Sequence, residues 1–267
     1  MKSFIFRHGE SPYKQGNRTC TAEEVETALD LTDRGIGVVL SNATRAAGLL
    51  DPKGKVTIVT SPVPRCVHSA RLIRLTLRHS GFNWNAKVQE QYQSVRIRVE
   101  PLLCEVRNFV WDVYRPLFEG GEVTWEGRTF TIDKKETNPS DLNDMDYFYT
   151  DSAHKIPEEV LAQYPISFVE KIRKFERTAS THDRMMEVLS TYCSEDMGQV
   201  IFVTHNALVG WLAALYSDDK NAGLAPGNYI SLVCTENGSF IEGISGGITG
   251  TPCEIIEAYE NLVCAKG

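Results

Sequence analysis

Ser3-Phe4-Ile5-Phe6 runs straight into Arg7-His8-Gly9-Glu10, and the fold follows from this pairing of a short apolar run with a polar turn. An unbroken stretch of aromatic and β-branched residues this short reads as a strand buried on both faces, the pattern of a parallel sheet. The same pattern recurs twice. Val56-Thr57-Ile58-Val59 leads into Thr60-Ser61-Pro62-Val63-Pro64-Arg65, and Val200-Ile201-Phe202-Val203 leads into Thr204-His205-Asn206. Helical patterns lie between them. Thr32 is a good N-cap for a helix reaching about Leu50, where Asp51-Pro52-Lys53-Gly54 stops it. A second helix is expected from about Cys66 to His79, closed by Ser80-Gly81, and a third from near Asn206 through Leu215. After the turn-like Pro226-Gly227-Asn228, Tyr229–Val233 and Ser239–Ile241 read as an antiparallel hairpin across Glu236-Asn237-Gly238. The expected fold is a three-layer α/β/α sandwich around a mostly parallel sheet, one domain spanning residues 1–267. The stretch at about 120–152 is polar, acidic and dotted with Trp125, Phe130, Tyr147, Phe148 and Tyr149. It reads as an insertion or lid, its aromatics more a small core of their own than a substrate cradle.

The bulk numbers exclude several function classes. A chain of 267 residues with 42% hydrophobic content can bury a sizeable core. Its formal net charge of -7 argues against a nucleic-acid backbone as partner, since such binders concentrate positive charge. A small phosphate is not excluded, because it answers to local charge and helix termini. The seven cysteines are scattered and form no C-x-x-C pair, so they read as small buried hydrophobes in a reducing compartment, Cys66 and Cys104 included. The first apolar run is too short for a signal-peptide core, and no later stretch approaches a membrane span. A soluble, cytoplasmic protein with no membrane partner is expected; the oligomeric state is open.

Position carries the chemical argument. In open parallel sheets, ligands bind beyond the carboxyl ends of the strands. Three successive strands are expected to end in Arg7-His8, in the turn that delivers Arg65, and in His205. Two arginines and two histidines therefore converge on one sheet edge. The guanidinium fork suits phosphate oxygens, and a helix starting after each strand aims free N–H groups at the same place. Arg65 falls in a helix first turn, where a cation runs against the helix dipole, which favours a ligand role. His68, His79, His154 and His182 read as helix-surface or loop residues, and no histidine–carboxylate spacing suggests a metal site.

These residues carry a family resemblance. Arg7-His8-Gly9-Glu10-Ser11 resembles the R-H-G-E signature of the histidine phosphatase superfamily, the phosphoglycerate mutase-like proteins. Leu31-Thr32-Asp33-Arg34-Gly35 resembles its L-T-x-x-G helix start, Ser61 to Ala70 its S-P-x-x-R-x-x-x-(T/S)-A segment, and Val203-Thr204-His205 its second catalytic histidine. The motifs fall in the family's order over roughly residues 3 to 215. The resemblance implies a phosphoglycerate mutase-like fold and a histidine acid phosphatase-type phosphomonoesterase that needs no cofactor and no metal. His8 would attack phosphorus and become phosphohistidine, its other ring nitrogen donating to a backbone carbonyl. Arg7, Arg65 and His205 would hold the transferring oxygens.

The proton donor for the leaving oxygen is expected to be Glu105, with Glu100 or a carboxylate of the insertion as alternatives. Ile97 to Glu105 is similar to the I-R-V-E-P-x-L-x-E segment of suppressor-of-T-cell-signalling phosphatases. Asn17-Arg18 resembles the N-R of the mutases, and Lys14 stands where mutases and many phosphatases carry asparagine; these three are the candidate substrate contacts. The mutases' lysine and paired arginines after Glu105 have no counterpart. The phosphatase branch is therefore expected, acting on a phosphorylated small molecule or phosphopeptide. A mutase-like phosphotransferase and a non-catalytic phosphate-binding interaction module are the alternatives.

Overall fold

In this computed structural model, the described residues are 2–12, 19–81, 95–105, 120–132, 158–174, 178–193, 198–209, 224–235 and 238–245. They fall into two compact units, one of residues 1–105 and 184–267, the other of 106–183.

The first unit is built on a six-stranded sheet. Its strands are β1 (Lys2–Arg7), β2 (Val56–Thr60), β3 (Arg96–Val99), β6 (Gln199–Thr204), β7 (Tyr229–Thr235) and β8 (Gly238–Ile244), in the order β3-β2-β6-β1-β7-β8. The first four are mutually parallel; β7 runs antiparallel to β1, and β8 antiparallel to β7. The three strands expected from their apolar runs are all present, and β6 sits between β2 and β1. The late hairpin is present too. β3, whose sequence Arg-Ile-Arg-Val gives no apolar run, is an additional edge strand.

Helices cover both faces, and the two hydrophobic clusters record the layers. On one side, Phe4, Phe6, Ile58, Ile201 and Val203 pack against Val39, Ala43, Ala46 and Ala47 of α1 (Asp33–Ala47) and Cys66, Ala70, Ile73 and Leu77 of α2 (Pro64–His79). On the other, Ile5, Val59, Val200 and Phe202 meet Met185, Val188 and Leu189 from the helix Thr178–Tyr192, with Leu208 and Val209 from helical residues 206–209. Alternate residues of each central strand thus face opposite layers, and burial on both faces demands the continuous apolar runs seen in the sequence. Among the described residues no helix is long and apolar enough to cross a membrane.

The second unit contains a hairpin of β4 (Gly121–Trp125) and β5 (Arg128–Ile132), joined by Glu126-Gly127. Both turn residues have positive φ, 49° and 75°, the geometry that matches the right-handed twist of paired strands. Two short helices follow, α3 (Glu158–Leu161) and α4 (Ile166–Arg173). Phe168 of α4 is fully buried, with the rings of Phe130, Trp125 and Tyr164 at 5.0, 5.6 and 5.7 Å. Trp125 Nε1 donates to Ser167 Oγ at 3.0 Å. Tyr147, Phe148, Tyr149 and the rest of the expected insertion beyond residue 132 lie outside the described residues. The helix Thr178–Tyr192, hereafter α5, belongs to the first unit from Arg184 onward.

The capping at Thr32 ties α1 to the loop that follows β1. Its Oγ1 accepts the Gly35 N–H at 3.0 Å and donates to Glu10 Oε2 at 2.9 Å, while its own N–H donates to Glu10 O at 2.9 Å. Gly9 and Gly35 permit this closeness. A Cβ at Gly35 would stand 2.4 Å from Glu10 O, and one at Gly9 would stand 2.9 Å from Gly35 O. Gly37, two residues on in the same helix, has nothing among the described residues within 4 Å of its would-be Cβ.

This contrast gives a stability test. Gly35→Ala should destabilise the protein by about 3 kcal/mol, because backbone rather than a mobile side chain must yield. Gly37→Ala should stabilise it by about 0.5–1 kcal/mol by removing backbone freedom from the unfolded chain. Urea denaturation of the two variants beside the wild type measures both, and shifts of the same sign would contradict the close approach at Gly35.

Candidate active site

The four parallel strands end side by side, and each hands the chain to a polar residue at the same sheet edge. The His8 N–H donates to Thr204 O and the Ser61 N–H to Val203 O, both at 2.9 Å, and the Glu100 N–H to Thr60 O at 2.8 Å. The ends of β1, β6, β2 and β3 thereby deliver His8, His205, Ser61 and Glu100. Pro64 opens α2 immediately after β2, which places Arg65 in the first turn of that helix.

The side chains meet closely. His8 Nδ1 lies 2.7 Å from Gly9 O, so it carries the proton and donates to that carbonyl, leaving Nε2 as the acceptor nitrogen of the ring. Arg65 Nε donates to that Nε2 at 3.1 Å. The other end of the guanidinium, Nη2, stands 3.3 Å from His205 Nδ1. A guanidinium has only donors, so His205 Nδ1 accepts and its Nε2–H donates to Ser61 Oγ at 3.0 Å. The two imidazole rings are 5.2 Å apart. His8, Arg65 and His205 are all essentially removed from solvent. Arg7 donates through Nη1 to Leu224 O at 2.5 Å, and its buried Nε has no hydrogen-bond partner among the described residues.

Burial sets the protonation of this cluster, and its cations reinforce it. His8 is held well below the ordinary histidine range by burial first and then by Arg65 and Arg7, against the opposing Gly9 hydrogen bond. His205 is held well below it by burial, then by Arg65, His8, Arg7 and Arg184. Glu105 Oε2 lies 3.5 Å from His205 Nδ1, within ion-pair distance. The ring is neutral, however, so this is a contact between a carboxyl group and an uncharged imidazole. Cys66 Sγ stands 3.4 Å from His205 Nε2, and burial pushes its thiol up, so it remains a protonated packing group.

The five residues expected at the site from their strand-end positions and motifs, His8, Arg7, Arg65, His205 and Glu105, all stand at this edge. Glu100 does not share their role: its carboxylate accepts from the Leu102 N–H and from Tyr192 Oη, both at 3.0 Å, and is spent on the local fold. Lys14, Asn17 and Arg18 lie outside the described residues, as does His154. His79 is exposed and His182 half-buried on their helices. His68 needs correcting. It is buried, not superficial, because its Nδ1 accepts the Asp30 N–H at 3.2 Å and so joins α2 to the chain before α1.

The sequence assigns no role to three contributors, although Ser61 and Ser69 both fall within the Ser61–Ala70 segment. Ser61 opens the S-P segment, but nothing in it tells that the hydroxyl meets His205. Ser69 accepts the Gly9 N–H at 3.0 Å while donating to Arg65 O at 2.7 Å, and so joins the two segments that carry His8 and Arg65. Arg184 is buried, and an arginine in a helix otherwise reads as a surface charge. Among the described residues no group of three or more histidine, cysteine, aspartate or glutamate side chains is placed to hold a metal ion.

No protein-family model and no curated protein matches the sequence. Solved structures do resemble the chain. A phosphoglycerate mutase from Bacillus anthracis is similar at 15% identity and a TM-score of 0.49, over 97% of this chain and 96% of that one. A phosphoserine phosphatase mutant from Entamoeba histolytica, in complex with phosphoserine, is similar at 13% identity and a TM-score of 0.49, over 92% and 96%. A putative alpha-ribazole-5'-P phosphatase from Escherichia coli is similar at 14% identity and a TM-score of 0.48, over 94% and 98%.

The neutral rings imply a pH dependence of stability. An unfolded histidine titrates near about 6.5, whereas the folded rings of His8 and His205 resist protonation. Above that value neither state binds the proton and nothing is lost. Below it the unfolded chain binds more protons, so stability falls by up to about 1.4 kcal/mol per pH unit for each ring. The urea midpoint should therefore drop between pH 7.5 and pH 5.5, and drop less steeply in His205→Asn. Equal slopes in the two proteins would mean that the buried ring titrates like an unfolded one.

Proposed function

We propose that this protein is a phosphatase of the histidine phosphatase superfamily, cleaving a phosphomonoester through a phosphohistidine at His8. The observation that carries the reading is the His8 ring itself. Its Nδ1 proton is committed to Gly9 O, and its lone-pair nitrogen faces the Arg65 guanidinium. The unprotonated nitrogen that a nucleophile needs is thereby held beside a guanidinium suited to hold the phosphate it would attack.

In this reading Arg65 and Arg7 bind the oxygens of the phosphoryl group and draw phosphorus onto His8 Nε2. His205 lies beside the same oxygens and donates to them once the incoming dianion offsets the burial and the cationic field that keep its ring neutral. The P–N bond forms as the P–O bond to the leaving group breaks, and Glu105 supplies the proton that the leaving oxygen needs. Glu105 then takes a proton from a water that attacks the phosphohistidine, so ester and water become alcohol and phosphate with Glu105 restored. The pocket's charge is local: two arginines sit in a chain of formal net charge -7. The substrate is a phosphorylated small molecule or a phosphopeptide, and Lys14, Asn17 and Arg18 are its proposed contacts beyond the phosphate. No metal or other cofactor takes part, and the single domain spans 1–267 with its insertion at about 120–152.

Two measurements test this. Rapid quenching without acid, using labelled substrate, should trap an acid-labile phosphoenzyme in the wild type and none in His8→Ala; wild-type turnover by His8→Ala would sink the proposal. Glu105→Gln should slow alkyl phosphates far more than para-nitrophenyl phosphate, because a stable leaving anion needs little proton donation. Equal losses on both substrates would remove Glu105 from the proton-donor role and leave the nucleophile untouched.

A further inference from the structure

The short segment that carries Glu105 is gripped from below. The carbonyls of Leu102 and Cys104 both accept from Arg184 Nη1, the latter at 3.0 Å, and Leu103 O accepts from Thr204 Oγ1 at 2.7 Å. Leu103 is fully buried, and Arg184 is only 6% exposed. Upstream, Tyr192 of the same helix fixes the Glu100 carboxylate, whose other oxygen holds the Leu102 N–H. Three successive carbonyls are therefore held by side chains of α5 and β6, ending one residue short of Glu105. A buried guanidinium is costly to desolvate, and joining two carbonyls of the turn Pro101–Cys104 is a positional use of it.

We propose that Arg184 is a positioning residue for proton transfer: by clasping the carbonyls of Leu102 and Cys104 it sets where the Glu105 carboxyl stands relative to His205. The role rests on the proposed phosphatase reading with Glu105 as proton donor. It is distinct from that of Arg65, which touches both imidazole rings directly. On His205 itself Arg184 acts as one of the positive charges, after Arg65, His8 and Arg7, that add to burial in keeping the ring unprotonated.

The test compares two substrates in one preparation. Arg184→Met should lower kcat for an alkyl phosphate on the order of tenfold more than for para-nitrophenyl phosphate, because a displaced acid matters only where the leaving group needs its proton. KM for both should stay within about twofold, since the phosphate ligands are untouched. The ratio of the two rates does not depend on how much of the chain is folded, so simple destabilisation cannot produce the selective loss. Arg184→Lys keeps the charge but replaces the rigid fork with a point donor, and should show the same selectivity to a smaller degree; it also serves if Arg184→Met fails to fold. An unchanged ratio in the variants that fold overturns the proposal. Glu105→Gln is measured beside them. Selectivity in Glu105→Gln without selectivity at Arg184 rejects the positioning role alone. An unchanged ratio in Glu105→Gln rejects Glu105 as the donor, and the role of Arg184 with it.

Discussion

The contact between the Arg65 guanidinium and the His8 and His205 rings governs the arrangement of this site. One buried cation reaches a nitrogen of each ring, at 3.1 and 3.3 Å, in a place that water does not reach. Like unit charges about 4 Å apart repel by about 4 kcal/mol at the effective dielectric constant near 20 that suits such sites. Protonating either ring beside Arg65 is therefore opposed twice, by desolvation and by repulsion. With both rings neutral, the tautomers follow from the donors around them, and each remaining polar atom has its assignment. His8 gives its proton to Gly9 O; His205 gives its own to Ser61 Oγ.

That contact needs a scaffold of low tolerance. Arg65 and Gly9 are joined through one hydroxyl, that of Ser69. Gly9 in turn lies against Gly35 with no room for a Cβ on either side, and Glu10 is bound by Thr32. The loop after β1, the first turn of α1 and the first turn of α2 are therefore a single packed unit. A shift in any one of them moves His8 relative to Arg65.

Much of this was legible in the sequence because the central strands must be apolar throughout. Phe4, Ile5 and Phe6 face two layers, as do Ile58 and Val59 and the run Val200–Val203, so no alternation blurs the signal. Thr32 announced α1, and the position of His8, Arg65 and His205 at strand ends announced the site. β3 was hidden because it is an edge strand of alternating arginine and apolar residues, and β4 and β5 because they bury little beyond Val123 and Ile132. Their turn, Glu126-Gly127, carried the only local hint. His68 and Arg184 escaped for a related reason. A polar residue at helical spacing looks solvated until the chain that covers it is known, and the covering segments come from 38 and about 80 residues away.

The strand order has a consequence for how the protein comes into being. β6 lies between β1 and β2, yet it is synthesised some 140 residues after β2. β1 and β2 are not neighbours, so while the chain emerges from the ribosome neither can pair with the other in the native way. β1, and the edge of β2 that β3 does not cover, thus wait for the strand that leads into His205. Non-local parallel pairing of this kind folds slowly and leaves unpaired edges open to aggregation in the interval. The two halves of the sheet can therefore join only when β6 arrives, and the same strand brings His205 beside His8 and Arg65; β7 and β8 then extend the sheet beyond β1.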